Sequence, residues 1–266
     1  MIPVRSNIRD IARVSCMTTV LLTTLALTTA TGSAVQSPTP GGPSAPVDTA
    51  PADRINIDSL AVSVYPSPGT LTGVSVHFDR ASRTETGQKP AAANQFVFLF
   101  DRSIRPNPHR FPSCSRAVLA TNGVAACPAG SKVGTGVADF YPEGRVQVVV
   151  FNTVHPSGES GVLITIPATG AILENTFEPV ADAYRGEYGW GSDELLPSPL
   201  PPDQRGATVR FQVSFGATYT DEHGTHSYLE SFALPGQQLR FGLWSRFVTG
   251  QTILPTATAP RPLPVL

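Results

Sequence analysis

Lysine is almost missing from this chain. Of its 19 basic residues only Lys89 and Lys132 are lysines, and with 20 acidic residues the formal net charge is −1. Nucleic acid is bound by a concentrated basic face and anionic lipid by a polybasic run, and neither is present, which argues against both partners. Cysteine is scarce as well, with three in 266 residues. Long apolar runs are lacking: the one candidate, "CMTTVLLTTLALTTA" (16–30), is Thr-rich and shorter than the ~20 residues that cross a bilayer. A sustained amphipathic helical pattern is also missing, which leaves little room for a helical fold.

That short run follows a basic stretch holding Arg5, Arg9 and Arg13 and precedes the small residues "TGSA" (31–34). The order of basic region, apolar region and small-residue cleavage site reads as a signal peptide over 1–34. Cys16 has no lipobox around it, so lipoprotein processing is not expected. Removal of 1–34 takes three arginines and one aspartate with it, leaving 16 basic and 19 acidic groups, a net of −3. It also leaves two cysteines, Cys114 and Cys127. An even count in an exported chain reads as a disulfide, worth roughly 3 kcal/mol for a loop of this size. The expected location is therefore extracellular or loosely cell-surface associated, with no integral membrane span after cleavage.

Proline and glycine are plentiful, at 26 and 23 residues. Residues 35–53, "VQSPTPGGPSAPVDTAPAD", have almost nothing to bury and read as a disordered linker; the Pro-rich 255–266 read as a disordered tail. "LPTAT" (254–258) lacks the Thr-Gly order, apolar span and basic end of a sortase signal. Between them, residues 54–254 suffice for one domain with a real core. Its period is two. In "ATVRFQVSF" (207–215), Val209, Phe211, Val213 and Phe215 share one face, and in "GVSVHFD" (73–79) Val74, Val76 and Phe78 do. "INIDSLAVSV" (55–64) slips phase between Ile57 and Leu60, which predicts a β-bulge. "QFVFLFD" (95–101), "RVQVVVF" (145–151) and "GVLITIP" (161–167) are apolar on both faces, which suits central strands. Further strands are expected at 132–140, 170–178, 227–234 and 238–248. One short helix is expected near 113–120, with Ser113 as cap and Asn122-Gly123 as stop. "LLPSPLPPDQ" (195–204) reads as a polyproline connection over the surface. The pattern predicts an all-β fold, an antiparallel β-sandwich of immunoglobulin-like general shape.

The segment "FVFLFDRSIRPNPHRFPSCSRAVLATNGVAACPAGSKVGTGVADF" (96–140) resembles one found in a family of uncharacterised secreted actinobacterial proteins, marked by a C-x12-CPxGSxVGTG pattern. The resemblance spans about 45 residues. It implies an exported β-rich domain with Cys114 and Cys127 paired, and implies no catalytic activity.

Four stretches bear on chemistry. "GSKVGTG" (130–136) looks like a phosphate loop, but Lys132 precedes Gly134 instead of following the second glycine of a GxxxxGK[ST] frame. Its glycines read as a turn and as points of close strand approach. "GESGV" (158–162) is near the GDSGG of β-barrel serine proteases, which makes Ser160 a candidate nucleophile, with His77 and Asp101 or Asp139 in the right order. Glu159 and Val162 depart from that motif. "DEHGTH" (221–226) gathers Asp221, Glu222, His223 and His226, either as a metal set or as a polar hairpin tip. "YRGEYGWG" (184–191) carries Tyr184, Tyr188 and Trp190 among glycines, with no strand alternation. Exposed rings of this kind stack on sugars, whereas buried ones plug the end of a sandwich. No metal set or cofactor loop is coherent enough to assign, and neither is a catalytic constellation. The expected function is a secreted non-enzymatic binding module, extracellular or envelope-associated. Its candidate binding residues are Tyr184, Tyr188 and Trp190, and its candidate partner is cell-envelope polysaccharide. The alternative is a secreted hydrolase using Ser160 with a histidine base.

Overall fold

Side chains of opposite strands lie on the same side of a sheet, and this rule sorts most of the chain into an inner and an outer face. The computed structural model describes residues 36–42 and 54–265, so the expected signal peptide lies outside the described residues. The strands are β1 (Asn56–Pro66), β2 (Gly73–Thr84), β3 (Ala93–Asp101), β4 (Ile104–Pro106), β5 (Lys132–Phe140) and β6 (Arg145–Val154). They continue with β7 (Ser160–Ile166), β8 (Ala171–Pro179), β9 (Tyr188–Leu195), β10 (Thr208–Phe215) and β11 (Thr218–Asp221). The last are β12 (Gly224–Ser227), β13 (Leu229–Ser231), β14 (Gln238–Phe247), β15 (Thr252–Ile253) and β16 (Thr256–Pro260). One α-helix, α1 (Arg116–Asn122), lies between β4 and β5.

All the ladders are antiparallel. Except for the β11–β12 hairpin, the strands form one sheet in the order β15-β14-β3-β9-β8-β7-β6-β5-β10-β2-β13-β4. β1 occupies the other edge of β2, and β16 pairs with β14 beside β15. β1 and β16 lie side by side, so the sheet rolls onto itself and its inner face encloses the main core. The expected all-β antiparallel sandwich therefore holds, built from one continuous sheet and not from two separate ones.

The chain is rich in Phe, with 13, and the core uses them as a hub. Phe78 meets Phe98, Phe100, Phe215 and Phe241 edge-on at centroid distances of 5.3, 5.4, 6.0 and 5.8 Å. Edge-to-face contact sets a positive ring rim against a negative face, adding about 0.5–1.5 kcal/mol per pair to area burial.

The strands apolar on both faces have their outer faces covered. On β6 and β7, Phe151 and Leu163 pack under α1 with Cys114 and Leu119. On β3, Val97 and Leu99 pack outward with Tyr188, Trp244 and Val180. Cys114 and Cys127 are joined, closing the loop that holds α1. The helix is capped by Ser115, two residues later than the expected Ser113, with its side chain accepting from Val118 N–H at 3.3 Å. It ends at Gly123, whose φ of 75° suits glycine, in line with the Asn122-Gly123 stop.

Three expectations are corrected. β1 has no bulge, for its register with β2 runs unbroken from Asn56↔Thr84 to Pro66↔Val74. The apparent phase slip arises because a polar residue, Asp58, takes an inward position and pairs with Arg80. The 255–266 tail is not free: β16 pairs with Gln238–Gly242 and satisfies an edge that β14 would otherwise expose. Part of the 35–53 linker is also placed, because Pro38 and Thr39 are buried against β9. Ala181 N–H donates to Pro38 O at 2.7 Å, and the Thr39 hydroxyl donates to the Asp193 carboxylate. An outward acid on an otherwise covered strand needs donors, and this Ser/Thr segment supplies them.

Candidate functional site

The "YRGEYGWG" stretch is not a loop of exposed rings. From Tyr188 onward it is β9, paired with β3 on one side and β8 on the other. A bulge opposite Phe100 and Asp101 places one extra residue in β9, which turns Tyr188 and Trp190 to opposite sides of the sheet. Tyr188 is only 2% exposed and packs in the outer cluster, with half-buried Tyr184 against it. Trp190 is half-buried and packs on the main core. The three rings therefore form no common platform for a sugar, which corrects the expected binding site. Glycine spacing had hidden the alternation: Gly189 is part of the bulge, and Gly191 sits where Val97 and Thr39 leave no room for a side chain.

The other candidates resolve locally. "GESGV" is a hairpin, with Ser160 opening β7 opposite Val154. The neighbouring His155 is committed to β8: Nε2 donates to Asn175 O at 2.9 Å, and Nδ1 lies 3.5 Å from Glu174 Oε2. Among the described residues Ser160 makes no hydrogen bond to an imidazole, whereas an activated serine requires one. His77 Nδ1 is within 3.0 Å of Ser214 Oγ instead. "DEHGTH" is the tip of the β11–β12 hairpin, where Asp221 Oδ1 accepts from His223 N–H at 2.8 Å and from His226 Nε2 at 3.1 Å. In "GSKVGTG", Gly130 turns the chain at φ 83° and Ser131 Oγ donates to Pro128 O at 2.6 Å. Gly134 and Gly136 lie against the carbonyls of Ser214 and Gln212, the close approach expected of them.

What sequence reasoning missed is a cavity inside one end of the fold. It has a volume of about 300 Å³, and its walls are mainly apolar, including Phe96, Phe140, Ile166, Leu173 and Phe211. Its rim includes Leu196, Pro197 and Ser198 from the 195–204 stretch that read as a surface connection, together with Arg205 and Gly206. Two ionisable side chains reach it from within the sheet: Arg80 of β2 and Glu194 of β9.

Arg80 continues the inward face of Val74, Val76 and Phe78, which is the signal that could have found it. It is 2% exposed and held on every side. Nε donates to Asp58 Oδ2 at 2.7 Å and Nη1 to Thr208 O at 3.3 Å. Its guanidinium carbon lies 4.8 Å from the ring centre of Phe96 and 5.7 Å from that of Phe247.

Glu194 stands opposite Phe96 on β3 and Asn175 on β8, so it faces inward with them. It is 1% exposed, and its Oε2 has no hydrogen-bond partner among the described residues. Burial pushes its carboxyl up to about 8, against an opposing hydrogen bond from Asn175 and with Asp193 adding to the rise. At neutral pH the group is a neutral carboxylic acid, able both to donate and to accept. Next to it, Asp193 points to the outer face, where burial pushes it up to about 6 while Gln95 Nε2 donates to it at 2.8 Å. Nothing in "GSDELLPSPL" distinguishes these two acids by type, since only the alternation of β9 sends them to opposite faces.

A pocket of this make-up, apolar with one or two convergent polar groups, binds small molecules by desolvation and is oriented by the polar group. No protein-family model matches the chain, and no curated protein matches it.

Proposed function

We propose that this protein is a secreted, non-enzymatic binding module that takes a small, largely apolar ligand into the cavity between Arg80 and Glu194. The basic, apolar and small-residue order of 1–34 and the paired cysteines support export to an extracellular or loosely cell-surface location. The observation that carries the binding reading is Glu194, which lines a mainly apolar 300 Å³ cavity and whose Oε2 has no hydrogen-bond partner among the described residues. Native interiors rarely leave such an atom unpaired, and a ligand oxygen or nitrogen in the cavity would satisfy it. An envelope polysaccharide suits this lining poorly, because a sugar would bring many hydroxyls to walls that offer few partners. The resemblance of 96–140 to secreted actinobacterial proteins agrees with export and adds no activity.

The test is enhancement of N-phenyl-1-naphthylamine fluorescence by the purified, oxidised protein. Saturable enhancement, abolished by Ala171→Trp, which fills the cavity from β8, is expected. Equal enhancement by both proteins would place the dye elsewhere and remove the reading.

A further inference from the structure

Resting on that reading, we infer that the ligand is an uncharged apolar molecule carrying a single hydroxyl or carbonyl oxygen, seated with that oxygen on the carboxyl of Glu194. Charge balance around the cavity selects this class of ligand. Arg80 is the cation closest to the apolar interior, and Asp58, with a side chain fully shut from solvent, neutralises it at 2.7 Å. The pair therefore brings dipole but little net charge to the cavity. Arg205, at the rim, donates through Nε to Leu200 O at 2.9 Å. Asp193 lies on the opposite face of β9, bonded to Gln95 and Thr39. Glu194 itself is neutral at physiological pH.

An anionic ligand would have to leave its charge at the mouth, where Arg205 lies, or bury it beside the already neutralised Arg80, and burying an unpaired carboxylate is costly. A cationic ligand could be matched only by ionising Glu194 and by approaching the Arg80 guanidinium. A neutral oxygen meets neither obstacle. It can accept from the Glu194 hydroxyl, or donate to Oε2 if it is itself a hydroxyl, while its apolar body lies against Phe96, Phe140, Leu173 and Phe211.

Three probes of equal length separate the charge classes: 1-decanol, decanoate and decylamine, each displacing the naphthylamine dye at pH 6.5. Decanol is expected to displace at a concentration about tenfold below either charged analogue, the factor that one buried hydrogen bond and an avoided charge-burial cost supply. Glu194→Leu should remove roughly that tenfold advantage, and Glu194→Gln, whose amide still donates, should keep most of it. Tighter displacement by decanoate, or by decylamine, would overturn the neutral-ligand assignment while leaving the cavity as the binding site. Decanol binding unchanged in Glu194→Leu would overturn the seating on Glu194. Failure of the dye and of all three probes to bind a protein with a native circular-dichroism spectrum would overturn the binding module itself.

Discussion

Arg80 Nε lies 2.7 Å from Asp58 Oδ2 between β2 and β1, and both side chains are almost wholly removed from water. Removing one partner strands the other charge, so Arg80→Met or Asp58→Leu alone should cost about 3–5 kcal/mol in denaturant unfolding. The double replacement Asp58→Leu, Arg80→Met leaves no charge to strand and should cost clearly less than the sum of the singles. A purely additive double mutant would show that the two groups act independently.

Acid should stabilise this fold, within limits. Glu194 is raised from 4.5 to about 8 and Asp193 from 3.8 to about 6, so the folded state holds protons that the unfolded chain releases. Stability from Glu194 is fully present below about pH 4.5 and is lost as pH rises toward 8, at about 1.4 kcal/mol per pH unit while only the folded state stays protonated. Asp79 runs the other way, because its bond to Arg210 lowers it and stability is lost as pH falls through its folded value. The melting temperature should therefore be higher at pH 5 than at pH 8.5, and Glu194→Gln should flatten that slope. A melting temperature that climbs between pH 5 and 8.5 would contradict the assignment.

Asn152 holds the cysteine segment to the core. Its side-chain amide donates to Pro108 O and Phe111 O at 3.1 Å each and to Pro112 O at 3.2 Å, and its Oδ1 accepts from Tyr228 hydroxyl at 3.1 Å. Replacement by Leu leaves several of these groups buried without partners and should cost roughly 3 kcal/mol. Amide exchange should rise first around residues 108–114, where those carbonyls lie.

Gly136→Ala should separate β5 from β10. A Cβ there would collide with the Gln212 carbonyl, a backbone atom that cannot rotate away. The expected loss is roughly 1–3 kcal/mol, with weakened exchange protection along Gly136–Ala138 and Phe211–Val213. Gly144→Ala, in a turn with an open surrounding, gives a comparison free of that clash, although its φ of 143° still favours glycine.

Replacing Cys114 and Cys127 together by Ser should cost roughly 3 kcal/mol by freeing a 13-residue separation in the unfolded chain. The outer cluster of Leu119, Phe151 and Leu163 would also lose its buried Cys114. A comparison of reduced and oxidised unfolding reads the effect directly.

Strand positions were legible wherever one face is apolar and the other wet, as in Val74-Val76-Phe78 and Phe211-Val213-Phe215, because a period of two needs no tertiary context. Doubly apolar strands were legible as central ones, but what covers their outer faces was not. Two further pieces, 36–42 against β9 and 256–260 along the edge of β14, have little apolar content and are held through backbone and hydroxyl groups that pattern cannot see. β9 was missed because two glycines and a bulge break its alternation at Tyr188–Gly191.

From the amino-acid order alone came the all-β class, the antiparallel strands and the cysteine pair, all of which rest on local periodicity or composition. Only the tertiary structure decided that Glu194 faces a cavity while its neighbour Asp193 faces the segment at Thr39, and that Arg80 meets Asp58 inside the sheet. Those outcomes depend on which strands lie opposite one another, and register is a property of the closed sheet as a whole. A single residue of slip would exchange the two acids and erase the site.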